Sequence, residues 1–152
     1  MKKIFIVTLI ALFLITNIHN QVISNSPKLK EAFNIDNIEI LGVPTKGNTI
    51  KLKINIHSLV NTNLQISVRS PHQKISLKEN DKKYLNLKSG QYYETTYDLL
   101  VNEAGASMIY VYVDADGLSD DYLKSKIRYL TIENEDNQYS IYKDTDTNYS
   151  KI

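Results

Sequence analysis

In TIKLKINIHSLV, residues 49–60, Ile50, Leu52, Ile54 and Ile56 alternate with Lys51, Lys53, Asn55 and His57. A period of two sends successive side chains to opposite faces of an extended backbone, so this stretch reads as a strand with one dry face and one wet face. A sheet with such a face needs a second apolar layer to cover it.

The same period recurs along the chain. NLQISVR carries Leu64, Ile66 and Val68 on one face, and Asn61 and Asn63 offer a tight connection, so the two segments are expected to form a hairpin. NIEILGV sets Ile38 and Ile40 on one face and stops at Gly42 and Pro44, which suits an edge strand because proline cannot donate to a ladder. KISL (74–77) and YLNL (84–87) flank the charged turn KENDKK, and Gly90 punctuates LKSG. YYETTYDLLV (92–101) aligns Tyr93, Thr95, Tyr97, Leu99 and Val101. SMIYVYV (107–113) is nearly continuous in apolar residues, as in a strand buried on both faces. KIRYLTI (126–132) is β-branched and aromatic enough for another.

About eight short strands with turn residues between them predict an all-β fold, a two-sheet sandwich of about seven to eight antiparallel strands over residues 35–133. Residues 25–34 form a lead-in, where Ser26 and Pro27 are expected to start one helical turn. Residues 134–152 read as a polar C-terminal tail, in which YSIYK can add a strand and the last ten residues are expected to be disordered.

Lys2 and Lys3 precede an apolar run from Ile4 to Ile15, the arrangement of a secretory signal over residues 1–24. The run is shorter than the roughly 20 residues of a spanning helix. Val22-Ile23-Ser24 is a poor cleavage site, so an uncleaved anchor is the alternative. The expected destination is the periplasm or the cell surface. The chain has no cysteine, so its stability has to come from its core.

The net charge of +1 lacks the basic excess that nucleic acid or an anionic membrane surface demands, leaving the N-terminal segment as the only expected membrane contact. Charge is uneven nonetheless: residues 28–88 hold eleven basic and five acidic side chains, residues 89–152 five and twelve. That asymmetry either cancels in space or steers weak self-association.

The sequence of TIKLKINIHSLV, NLQISVR, LKSGQYYETTYDLLV and EAGASMIYVYVDADG resembles the immunoglobulin-like accessory domains of exported prokaryotic proteins, including the bacterial cell-adhesion-related type. Neither Cys nor Trp is present, which excludes the antibody-type branch. The resemblance implies a non-catalytic module for spacing, adhesion or partner contact.

Catalytic signatures are sparse. Gly105-Ala106-Ser107 opens a strand and is no nucleophile elbow, and the five glycines are scattered, so no phosphate cradle is assembled. His57 lies on a wet strand face and His72 follows Pro71 in a loop, and both read as ordinary surface imidazoles. No catalytic, cofactor-binding or metal residue is assigned.

Two features carry a binding alternative. DADGLSDDY places Asp114, Asp116, Asp120 and Asp121 within nine residues. With Gly117 at the sixth position of an EF-hand loop, Tyr112 and Leu123 fall where the first ligand and the bidentate acid belong, so the stretch reads as a turn, with a weak calcium site as the alternative. Among the eleven tyrosines, Tyr92, Tyr93, Tyr97, Tyr110 and Tyr112 fall on strands. Either their rings pack inside with the hydroxyl at the rim, or they form an exposed strip that grips a polysaccharide or protein, which requires tyrosines from neighbouring strands on one outer face.

The expected function is an exported structural or interaction module that contacts a protein or cell-surface component. The alternatives are a subunit of a self-associating assembly and a hydrolase whose carboxylates meet only on folding.

Overall fold

The computed structural model describes residues 28–78, 82–135 and 138–143. The signal segment, its cleavage site, Ser26, Pro27 and residues 144–152 lie outside the described residues. Eleven strands and no helix occur among the described residues. They are β1 (Lys30–Glu31), β2 (Phe33–Leu41), β3 (Thr49–Ser58), β4 (Thr62–Arg69), β5 (Ile75–Leu77) and β6 (Lys82–Leu87), then β7 (Tyr92–Val101), β8 (Ser107–Asp116), β9 (Tyr122–Leu123), β10 (Ser125–Glu135) and β11 (Gln138–Lys143).

One sheet has the order β2-β3-β7-β5 and the other β11-β10-β8-β4-β6, with every pairing in both antiparallel. Their apolar faces meet in an immunoglobulin-like sandwich. Ile50, Leu52, Ile54 and Ile56 are all at most 1 % exposed, as their alternation requires. Opposite them, Leu64, Ile66 and Val68 of β4 and Ile109, Val111 and Val113 of β8 are buried.

The hairpin expected between β3 and β4 does not form, because the two strands belong to opposite sheets. Residues 59–61 span the gap: three residues at roughly 3.3 Å each match the roughly 10 Å between packed sheets. The crossover is held from outside. The Ser58 and Leu59 amides donate to the carbonyls of Gln91 and Ala32, both at 2.9 Å. Asn61, expected in a hairpin turn, instead accepts from the Ser89 amide at 2.9 Å. The turn that provides this contact requires Gly90 at a φ of +78°.

The lead-in holds no helical turn among its described residues. Lys30–Glu31 pairs in parallel with Tyr122–Leu123, and β2 begins at Phe33, whose ring is fully buried. β8 alternates and is not buried on both faces: Ser107, Ile109, Val111, Val113 and Ala115 point inward, while Met108, Tyr110 and Tyr112 lie half-buried on the outer face. At the C-terminal end the sheet continues beyond residue 134. Asn134 is buried in β10, its side-chain amide donates to the Pro44 carbonyl, and β11 extends the sheet to Lys143.

Candidate interaction surface

The outer face of the five-stranded sheet follows from the parity of its strands. In β8 the inward residues are odd-numbered, beginning with Ser107, so Tyr110 and Tyr112 must point outward. In β10 the buried Leu130 and Ile132 leave Tyr129 on the outer face. Register then brings these side chains together. Tyr110 lies opposite Tyr129 of β10 on one side and Arg69 of β4 on the other, and Tyr112 lies between Ser67 and Ile127.

The ring centroids of Tyr110 and Tyr129 are 6.2 Å apart and tilted by 50°, and those of Tyr110 and Tyr112 are 6.1 Å apart at 30°. The Arg69 guanidinium lies 5.6 Å from the Tyr112 centroid, within cation–π range. One row further, Met108 lies opposite Thr131, and Thr131 opposite the exposed Tyr142 of β11. Tyrosines from two neighbouring strands therefore share one outer face, the arrangement that an aromatic strip requires.

The five tyrosines singled out in the sequence divide into three environments. Tyr97 is fully buried and Tyr93 packs against the core. Tyr110 and Tyr112 lie outside, on the strip. Tyr92 is 70 % exposed on the outer face of the other sheet, stacked on His57 with centroids 4.0 Å apart and planes within 7°. Tyr129 was missed. Its parity was legible in KIRYLTI, but its opposition to Tyr110 depends on the register of two strands.

Toward its end, the outer face of β8 turns acidic. Asp114 and Asp116 follow Tyr112 at the same parity and, with Asp120, Gln65, Tyr122 and Lys124, line an open groove of about 520 Å³. Asp114 accepts from the Ser125 hydroxyl at 2.6 Å. Asp120 is paired with Lys124 at 2.7 Å, and that hydrogen bond, reinforced by the lysine's charge, holds its carboxyl below the ordinary value. Asp121 has an exposed side chain, and its backbone carbonyl accepts from the Lys30 amide at 2.8 Å.

DADGLSDDY is thus the end of β8 followed by a turn, with Gly117 at a φ of +77° and the Tyr122 amide donating to the Ser119 carbonyl. No group of three or more His, Asp or Glu side chains converges as metal ligands among the described residues. His72 is exposed in its loop, its carbonyl accepting from the Ser70 hydroxyl at 3.0 Å.

No family model matches the chain, and no curated protein matches it in sequence. Among solved structures, native Escherichia coli alpha-2-macroglobulin is similar, with a TM-score of 0.54 and 12 % identity over 66 % of this chain. The match spans only 6 % of that much longer protein. WR4, a member of the MSP family from Caenorhabditis elegans, aligns with a TM-score of 0.35 and 13 % identity over 55 % of this chain and 79 % of its own. The first likeness is one of fold alone.

Proposed function

We propose that the chain is an exported, non-catalytic sandwich module that binds a protein or cell-surface component through the outer face of its five-stranded sheet. The observation that carries this reading is the clustering of Tyr110, Tyr112 and Tyr129 on that face, with Arg69 against Tyr112. Rigid amphipathic rings with an arginine beside them bury large apolar area at little entropic cost and still offer hydroxyls to a partner, which is why these residues dominate binding hot spots. Export rests on Lys2, Lys3 and the apolar run that follows them.

The test is capture from the native envelope by the wild-type chain and by a Tyr110→Ser/Tyr129→Ser variant. Truncating one hot-spot anchor costs about 2 kcal/mol, or roughly thirtyfold in affinity, so the double variant is expected to lose the partners the wild type retains. Equal capture by both chains, each folded by circular dichroism, would rule this face out.

A carboxylate hydrolase is the second reading, favoured by the groove holding Asp114, Asp116 and Asp120. It is weakened at Asp120, because a general acid needs a raised pKa and this carboxyl is shifted downward. Turnover of a glycan or peptide substrate that disappears in Asp116→Asn would establish it over the binding reading.

A further inference from the structure

An open sheet ends in strands whose outward N–H and C=O groups have no ladder partner, and soluble proteins blunt such edges with bulges, lysines, proline or brevity. Three of the four edges in the two sheets are blunted. β2 is bulged between Ile35 and Asn37, is followed by Pro44, and is flanked by Lys126 and Lys143, which donate to Asn34 and Asn37 at 3.0 and 3.2 Å. β5 is only three residues long. β6 opens with Lys82 and Lys83.

β11 has none of these devices along most of its length. It pairs with β10 over six consecutive residues without a register shift, and every residue except Ile141 is exposed. Its sequence, QYSIYK, contains no proline, glycine or acid, and its one lysine is the last residue. Tyr139 and Tyr142 are 46 % and 55 % exposed on opposite sides of the sheet. An unbulged edge of this length, whose one charged residue is its last, is a template for another strand.

We infer that β11 is a self-association edge, onto which a second copy of this chain adds its own β11 antiparallel to join two five-stranded sheets into one. The strand's own residues favour a second copy. Antiparallel neighbours place residues of one face opposite each other, so the two-fold register centres on a residue. Centred on Ile141, it pairs Ile141 with its symmetry mate, Ser140 with Tyr142 and Tyr139 with Lys143. Centred on Ser140, it pairs Tyr139 with Ile141 and Gln138 with Tyr142. Neither register opposes like charges, and the net charge of +1 sets little repulsion between copies. Two-fold closure consumes both edges, so the assembly stops at a dimer. The axis is perpendicular to the sheet and leaves both tyrosine clusters on one side. The bivalent binding that follows, unlike the dimer itself, rests on the function proposed above.

The chain contains no cysteine, so a single introduced thiol reports the junction without background. Directly opposed residues in an antiparallel pair have Cα atoms about 4.5–5.5 Å apart, inside the roughly 4.4–6.8 Å that a disulfide spans. In the full-length chain under mild oxidation, Ser140→Cys or Ile141→Cys is expected to give a disulfide-linked dimer on a non-reducing gel. Asn86→Cys, exposed at the opposite edge of the same sheet, is expected to remain monomeric. Adding Tyr139→Lys and Tyr142→Lys, which sets a new ammonium at position 139 directly opposite Lys143 in the register centred on Ile141 and diagonal to it in the register centred on Ser140, is expected to lower the cross-linked fraction about tenfold with the melting temperature little changed. Absence of a dimer with both cysteines, equal cross-linking through Asn86→Cys, or indifference to the two lysines would each overturn the inference. Cross-linking that persists in the Tyr110→Ser/Tyr129→Ser background separates this junction from the binding face.

Discussion

The phenolic hydroxyl of Tyr97, on β7, donates to the backbone carbonyl of Ile66, on β4, at 3.4 Å, and so joins the two sheets through the middle of the core. The ring is fully buried, and the Lys83 ammonium lies 4.2 Å from its centroid. The same side chain thus fills volume and satisfies its own polar end, as a buried tyrosine must.

Tyr97→Phe keeps the ring and loses the hydrogen bond. The long contact places its cost at the lower end of the usual range, about 0.5–1 kcal/mol, whereas Tyr97→Ala removes the ring as well and is expected to cost about 3–5 kcal/mol. Urea unfolding of both variants checks this. Equal losses would mean that the hydroxyl, and not the packed ring, dominates.

Phe33 tests the start of the sandwich. Its ring is fully buried, so Phe33→Ala is expected to destabilise by about 3–5 kcal/mol. Leu29→Ala, four residues earlier and 39 % exposed, is expected to stay within about 0.5 kcal/mol. Similar thermal shifts for the two would show that β2 does not begin at Phe33.

Acid sensitivity follows from Asp98. The hydrogen bond from Lys51 at 2.9 Å holds its carboxyl below the ordinary 3.8, with the charges of Lys51, Lys78 and Lys83 adding to it. A carboxyl lowered by folding contributes stability above its unfolded pKa and loses it as pH falls through the folded value. Asp98→Asn is therefore expected to flatten the decline in stability below pH 3.8, by a small amount because the pair is exposed. At the other end, Lys53 is raised above 10.5, chiefly by its hydrogen bond with Glu94 at 2.8 Å. Its contribution is complete below 10.5 and is lost as pH rises through the folded value. Urea midpoints across the pH range read both limbs, and an unchanged acid limb in Asp98→Asn would refute the assignment.

Individual strands were legible wherever one face is dry and the other wet, as at Ile50, Leu52, Ile54 and Ile56. SMIYVYV misled because tyrosine and methionine count as apolar although they lie half-buried on an outer face, where their polar or flexible ends tolerate water. Phe33 was hidden behind Ser26-Pro27, whose capping preference is local and says nothing about the strand that follows. Of the candidate surface, Tyr110 and Tyr112 were named from the sequence, and Tyr129 and Arg69 were not.

Periodicity determined which side chains of each strand point inward, because the two-residue repeat is a property of the extended backbone itself. Partners were another matter: either sheet would have accepted β4, since the inner faces of both border the same core. The choice was made by contacts distant in sequence, Ser58 with Gln91, Leu59 with Ala32 and Asn61 with Ser89. It was that choice which set β4 beside β8 and placed Arg69, Tyr110 and Tyr129 in one row on the outer face.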